Sequence, residues 1–202
     1  AVMGISRPES SFIMNMLLQL LTSYKRTLNL YGVDPQLVTQ IFIQLFYYIC
    51  ANALNHLLNQ RDCCLWSKGM QMRCNISFLE DWAHVEKIQD TRVSEMLAPI
   101  KQAGQLLQAG KSERDVDSLI QMCSKLTPRQ ILRILRFQMR FQMTSHGSCL
   151  DKVPEAFIQT MQTRLYELRP NIVDNTLMMD PLKIVPLEIP FNPSNIRLED
   201  IE

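Results

Sequence analysis

Glycine is scarce in this chain, with 6 among 202 residues. That scarcity argues against a hairpin-rich β architecture, whose tight turns need left-handed backbone, and against glycine-rich phosphate loops. Net charge is nearly absent too, at +1. No global field therefore draws the chain to nucleic acid or to an anionic membrane. Histidine is limited to His56, His84 and His146, with no spaced pair, and no Cys-x-x-Cys occurs. A zinc site needs such spacings, so none is expected, and no cofactor is either. Long uninterrupted apolar runs are missing as well. The best candidate, Ile41 to Leu58, is broken by Gln44, Asn52, Asn55 and His56. No membrane insertion is expected. Ala1 is no native initiator, and the chain reads as an excised fragment.

What is present is helical periodicity. Hydrophobic residues make up 47% of the chain and charged residues 20%, enough apolar material for a real core. Phe12, Ile13, Met16, Leu17, Leu20, Leu21, Tyr24 and Leu28 recur at helical spacing, which predicts a first helix from Ser10 or Ser11 to about Leu30. Gly32 ends it. Asp34 then caps a second helix with Pro35 in its first turn, running to about Gln60. Apolar residues lie nearly all round this helix, so it is expected to be central, and Asn52, Asn55 and His56 near its end need hydrogen-bond partners. Further helices are expected over about 67–88, 91–109 with Pro99 kinking or interrupting it, from Ser112, from Thr127-Pro128, and from Pro154 to Leu168. Residues 144–152 read as a loop. The fold class is all-α: a bundle of about seven helices.

From Asp180 the character changes. Pro181, Pro186, Pro190 and Pro193 forbid helix, while Leu182, Ile184, Leu187, Ile189 and Phe191 are too apolar for a free linker. An extended strap lying in a groove of the bundle is expected; a disordered proline-rich tail is the alternative. The organisation is thus 1–9 leader or linker, 10–179 helical domain, and 180–202 extended strap packed on the bundle.

Nothing nominates itself for catalysis. Ser145-His146-Gly147-Ser148-Cys149 sets nucleophile-type residues beside a histidine, but no acid is placed to orient the ring. Cys50, Cys63, Cys64, Cys74, Cys123 and Cys149 fall mostly beside Leu, Ile and Met on predicted helices, and read as reduced thiols of an intracellular protein. The twelve methionines read mainly as core filler. One charged pattern stands out. Arg129, Arg133, Arg136 and Arg140 share one helix face, with Ile131, Leu132, Ile134 and Leu135 elsewhere on the helix. This is either a solvated face with counter-charges nearby or a docking patch for an acidic partner surface.

Several motifs carry a resemblance. They are Gly32-Val33-Asp34-Pro35, Gln44-Leu45-Phe46-Tyr47-Tyr48-Ile49, the run Arg61 to Ser77 with Trp66-Ser67-Lys68-Gly69-Met70-Gln71 at its centre, Gln105-Leu106-Leu107-Gln108, and Pro190-Phe191-Asn192-Pro193-Ser194. In this order and spacing, the chain resembles the C-terminal half of the cargo-binding globular tail of class V myosins, the dilute domain.

The resemblance implies a non-catalytic module that binds protein adaptors and Rab GTPases on vesicles and folds back on its own motor head when cargo is absent. It implies a cytoplasmic location on the actin cytoskeleton and vesicles. It also implies that apolar surface on residues 10–60 is exposed here and covered in an intact tail. Two basic residues carry the head contact in the family, and they match Arg61 and Arg133; both are lysine in familiar animal members. The family's Rab patch uses a tyrosine, whose position is Cys74 here, and a glutamine, which matches Gln108. Loss of the aromatic anchor weakens that patch. Dilute domains also occur in cell-junction and Ras-associated scaffolds, which is the alternative reading. A helical enzyme subunit is a third.

Overall fold

Asp34 sets the start of the longest helix. Its Oδ1 accepts the backbone N–H groups of Gln36 at 2.7 Å and Leu37 at 3.4 Å, and Pro35 occupies the first turn, where a missing N–H costs nothing. A computed structural model of the chain describes residues 8–88, 91–142, 153–170 and 175–188. In chain order the helices are α1 (Pro8–Leu30), α2 (Pro35–Asn59), α3 (Trp66–Val85), α4 (Thr91–Gln108), α5 (Val116–Met122), α6 (Pro128–Gln142) and α7 (Glu155–Leu168). Single 3-10 turns at Arg61–Cys63 and Glu113–Asp115 precede α3 and α5. No strand occurs among the described residues, so the protein is all-α. The Ser145–Cys149 run and residues 1–7 of the leader lie outside the described residues, as do Ile189 and Phe191 of the strap; Pro8 and Glu9, expected in the leader, open α1 instead.

Local chemistry explains the boundaries. α1 ends in a 6→1, 5→2 pair of bonds: Val33 N–H to Leu28 C=O, and Gly32 N–H to Asn29 C=O, both 3.1 Å. Gly32 takes φ +68°, which glycine adopts without strain. α3 ends the same way, with Ile88 N–H to Ala83 C=O at 2.9 Å and Lys87 N–H to His84 C=O at 3.1 Å. There the left-handed position, φ +59°, falls on Lys87. Ser112 and Asp115 form a capping box before α5. Thr127 and Gln130 bond reciprocally at the start of α6. α4 runs through Pro99 without the interruption that was one of the two expectations there.

α2 is the core helix. Phe42, Phe46, Cys50, Leu54, Leu57 and Leu58 are fully or almost fully buried, and Trp82 of α3 packs its ring on Phe42 with centroids 5.2 Å apart. By length and mean hydropathy (1.5 in its best window), α2 could pass for a membrane-spanning segment. Here it is wrapped by α1, α4 and α6. Of the polar residues expected to need hydrogen-bond partners, Asn52 is exposed and donates to Tyr48 C=O at 2.8 Å, His56 is exposed, and Asn55 is half-buried. On α1, Met14 and Leu21 are buried, whereas Phe12, Ile13, Met16 and Leu20 on its outer face are 54–67% exposed, in line with the exposed apolar surface expected on residues 10–60.

Between α3 and α4 the helices nearly touch. A Cβ on Gly69 would lie 2.8 Å from Gly104 O and 2.9 Å from Leu107 Cβ, distances real Cβ atoms do not tolerate. The two glycines set the depth at which these helices meet.

Residues 175–188 run antiparallel to α2, with a bend at 177–178 and a turn at 181–182 in which Lys183 N–H donates to Asp180 C=O at 3.2 Å. Of the strap's apolar side chains, Leu182 and Ile184 are about 80% exposed, whereas Leu177, Met178, Met179 and Val185 pack against the core. Polar side chains also grip its backbone. Asn55 donates to Met179 C=O (2.8 Å) and accepts its N–H (2.9 Å). Tyr47 O–H donates to Asp180 C=O (2.8 Å). Gln44 donates to Lys183 C=O (2.9 Å) and accepts Val185 N–H (2.7 Å). Gln40 donates to Glu188 C=O (2.6 Å) and accepts its N–H (2.5 Å).

Candidate docking surfaces

The C-terminal end of α2 leaves backbone carbonyls without intrahelical partners, and these must be satisfied from outside. The thiol of Cys64 donates to Leu57 O (3.7 Å), and Arg133 Nε of α6 donates to Leu58 O at 3.2 Å. The guanidinium of Arg133 also lies over the ring of Phe137, one turn on, with its carbon 4.1 Å from the centroid. Burial pushes the Cys64 thiol up to about 12; neighbouring Cys63 adds to the rise, and Arg133 opposes it. Arg61 begins the 3-10 turn that follows α2, is half-buried, and that turn packs against α6. Arg61 and Arg133 therefore come from neighbouring elements at one end of the bundle.

The arginine stripe is less uniform than its spacing implies. Arg129, Arg133 and Arg136 are exposed. Arg133 reaches α2, while Arg136 Nη2 donates to Gln162 Oε1 of α7 at 3.1 Å. Arg129 uses its backbone N–H to bond Asn175 Oδ1 at 3.2 Å. Arg140 lies in α6, but its side chain is outside the described residues.

A second surface lies between α3 and α4. Cys74 and Gln108, far apart in sequence, line one groove of about 450 Å³ together with Met70, Arg73, Glu80 and Lys101. The close approach at Gly69 and Gly104 places them there. Arg73 Nη1 donates to Gln108 Oε1 at 2.8 Å, and Lys101 pairs with Glu80 at 2.8 Å, so the groove has charged walls beside an exposed thiol. Sequence reasoning passed over Arg73 and Lys101 and took Glu80 only as part of a surface charge run. No helix-internal pattern marks them, because each acquires its partner only from the opposing helix.

Among the described residues, no cluster of three or more His, Cys, Asp or Glu is placed to hold a metal ion. Cys50, Cys63, Cys64, Cys74 and Cys123 are free thiols; Cys149 lies outside the described residues. Burial raises the Cys50 thiol to about 11 and the Cys123 thiol to about 12. Suppressing the thiolate in this way leaves both poor nucleophiles.

Three comparisons bear on these surfaces. A DIL domain model matches residues 40–140. Unconventional myosin-Va of Rattus norvegicus is 36% identical over 195 residues, covering 96% of this chain and 10% of its own. Unconventional myosin-Vb of Rattus norvegicus is 34% identical over 194 residues, with 96% and 10% covered. Human unconventional myosin-Vc is 34% identical over 192 residues, with 95% and 11% covered. The chain thus spans about a tenth of the length of these curated relatives. Among solved structures, Myo2-GTD in complex with Smy1 superposes with TM-score 0.71 at 20% identity, over 87% of this chain and 42% of that one. Myo2-GTD in complex with Mmr1 gives TM-score 0.71 at 20% identity, over 91% and 44%. At that identity the superpositions speak for the fold.

Proposed function

The chain belongs to the DIL-domain family, and it matches the tails of class V myosins; from that premise we propose that it is the partner-docking module of a class V-like actin-based motor. The domain is non-catalytic, and its work is to hold other proteins. The observation that carries this reading is the match over 96% of the chain to the tail of a transport motor. Solved neighbours of the same fold have been captured with the proteins Smy1, Inp2 and Mmr1. By extension, protein adaptors are the proposed partners here, at the actin cytoskeleton and on vesicles. The bare outer face of α1, with Phe12, Ile13, Met16 and Leu20, is the proposed seat for the remainder of such a tail.

Two finer roles are proposed. The α3–α4 groove is a Rab GTPase patch in which Cys74 replaces an aromatic anchor, so its affinity is low. Arg61 and Arg133 are the head-docking cations, and Arg133 also ties α6 to the end of α2. The test adds the tail, wild type or Arg61→Glu, to a tailless class V motor at low salt. Wild type lowers the actin-activated ATPase and the variant does not; equal inhibition by a folded variant sinks the docking role. For the groove, Cys74→Tyr is expected to tighten Rab binding at least several-fold and Gln108→Ala to abolish the gain. A tyrosine variant that binds no better removes the Rab assignment.

A further inference from the structure

Gln40, Gln44, Tyr47 and Asn55 lie four, three and eight residues apart on α2, which sets them on one stripe of the helix. Every hydrogen bond they make to residues 179–188 goes to backbone. Gln40 and Asn55 each engage both the N–H and the C=O of a single residue, as a neighbouring strand does in a sheet. A primary amide carries one acceptor and two donors, so it reproduces the hydrogen-bonding edge of a peptide group. Such recognition reads backbone geometry and is indifferent to side chains, with one exclusion. Proline cannot donate.

The strap obeys that exclusion. The N–H groups used belong to Met179, Val185 and Glu188, while its prolines fall at Pro181 and Pro186, where the ladder asks for no donor. Leu182, Ile184 and Leu187 are 79%, 80% and 57% exposed, while Met179 and Val185 pack partly on the core. From Met179 to Glu188 the strap is thus held by those two side chains and by part-buried hydrogen bonds, each of modest net value in water.

We propose that the amide stripe of α2 is a receptor for non-helical peptide backbone, filled in cis by this chain's own strap, and that a non-helical segment of a partner takes the strap's place. The occupant is defined by chemistry: a segment with free N–H groups at three positions, spaced six and then three residues apart as in Met179, Val185 and Glu188, that turns between the first two as Asp180 to Lys183 does. The strap acts as a tethered competitor, which sets a threshold that a partner must exceed. For its biological use this rests on the partner-docking reading above; its chemistry does not.

The test uses a fluorescent peptide of residues 175–188 and the full chain carrying Val185→Pro and Glu188→Pro, whose own strap can no longer donate at those positions. Saturable binding is expected, at least tenfold tighter than to wild type. It disappears when the peptide carries the same two prolines, or when the protein also carries Gln40→Ala and Gln44→Ala. Absence of saturable binding by a variant of native helicity overturns the proposal, as does equal binding of the proline peptide. Should the variant not fold, hydrogen exchange on wild type decides. The Val185 and Glu188 amides are expected to exchange at least tenfold faster than those of Phe42 and Leu54, and faster still with added peptide. Strap amides as slow as those of α2, or unmoved by peptide, overturn it. Neither readout contains an adaptor, a Rab or a motor head, so their failure leaves the docking reading standing.

Discussion

Arg133 shows how one side chain can hold two jobs. Its charge sits on an exposed stripe, yet its Nε satisfies Leu58 O and its plane covers Phe137. Arg133 therefore serves the fold whatever it docks. Arg133→Ala is expected to cost about 1–2 kcal/mol, since a charged donor and a cation–π contact are lost at a site still partly open to water. Arg133→Lys recovers only part of this, because an ammonium lacks the planar stack. Urea midpoints of the three proteins check the order. The thiols give a second prediction. At pH 8, alkylation of native protein is expected to label exposed Cys74 and half-buried Cys63, while Cys50, Cys64 and Cys123 wait for unfolding. Mass mapping of labelled peptides reads this out. The sign for stability follows from the raised folded values of about 11 to 12. Their contribution is full below pH 9, the ordinary thiol value, and is lost as pH climbs through 11 to 12.

Helix ends and helix contacts carry the next two predictions. Lys87 holds φ +59° at the end of α3 and is exposed, so its side chain is dispensable while its backbone is strained. Lys87→Gly is expected to raise stability by about 0.5–1 kcal/mol, seen as a higher Tm. Gly69 presents the opposite case. Alanine would gain about 1 kcal/mol in helix propensity, but its Cβ would strike the backbone oxygen of Gly104 at 2.8 Å. Backbone cannot yield as a side chain does, and a net loss of about 1–3 kcal/mol is expected. Gly104→Ala meets Gly69 O at 3.2 Å and the flexible Arg73 Cγ at 3.3 Å, so its loss is smaller. Thermal melts showing Gly104→Ala as the worse variant would contradict this account of the α3–α4 contact.

At the scale of the molecule, the strap ties the chain's last described segment to its central helix. Gln40 and Asn55 lie about 22 Å apart along α2, at 1.5 Å per residue, and grip different strap residues. Gln40→Ala and Asn55→Ala are expected to cost about 1 kcal/mol each and to add within about 0.5 kcal/mol in the double variant. A strongly sub-additive double variant would mean that the strap detaches as one unit once either grip is lost, and denaturant midpoints distinguish the two.

Helix identity was legible because it is local. Asp34-Pro35, Ser112 with Asp115, Thr127-Pro128 and Gly32 each satisfy or terminate a helix end within a few residues, so boundaries read from sequence agree with the structure to within about three residues. The family was legible for a related reason: Trp66 to Gln71 and Gln105 to Gln108 are contiguous runs. Partners across space were not. Apolar spacing marks a helix face without saying whether anything covers it, which is why Phe12, Ile13, Met16 and Leu20 read like the core residues Met14 and Leu21. Asn55 announced a need for a partner, but nothing in the sequence tied Gln40 or Gln44 to a strap that arrives from more than 130 residues away. Cys74 met Gln108 only because two glycines let α3 and α4 close. Periodicity and caps are properties of neighbours in the chain, whereas a groove or a backbone grip exists only when distant segments pack. The sequence by itself determined the helices and the family; tertiary packing alone decided which faces stay open and which backbone the α2 amides hold.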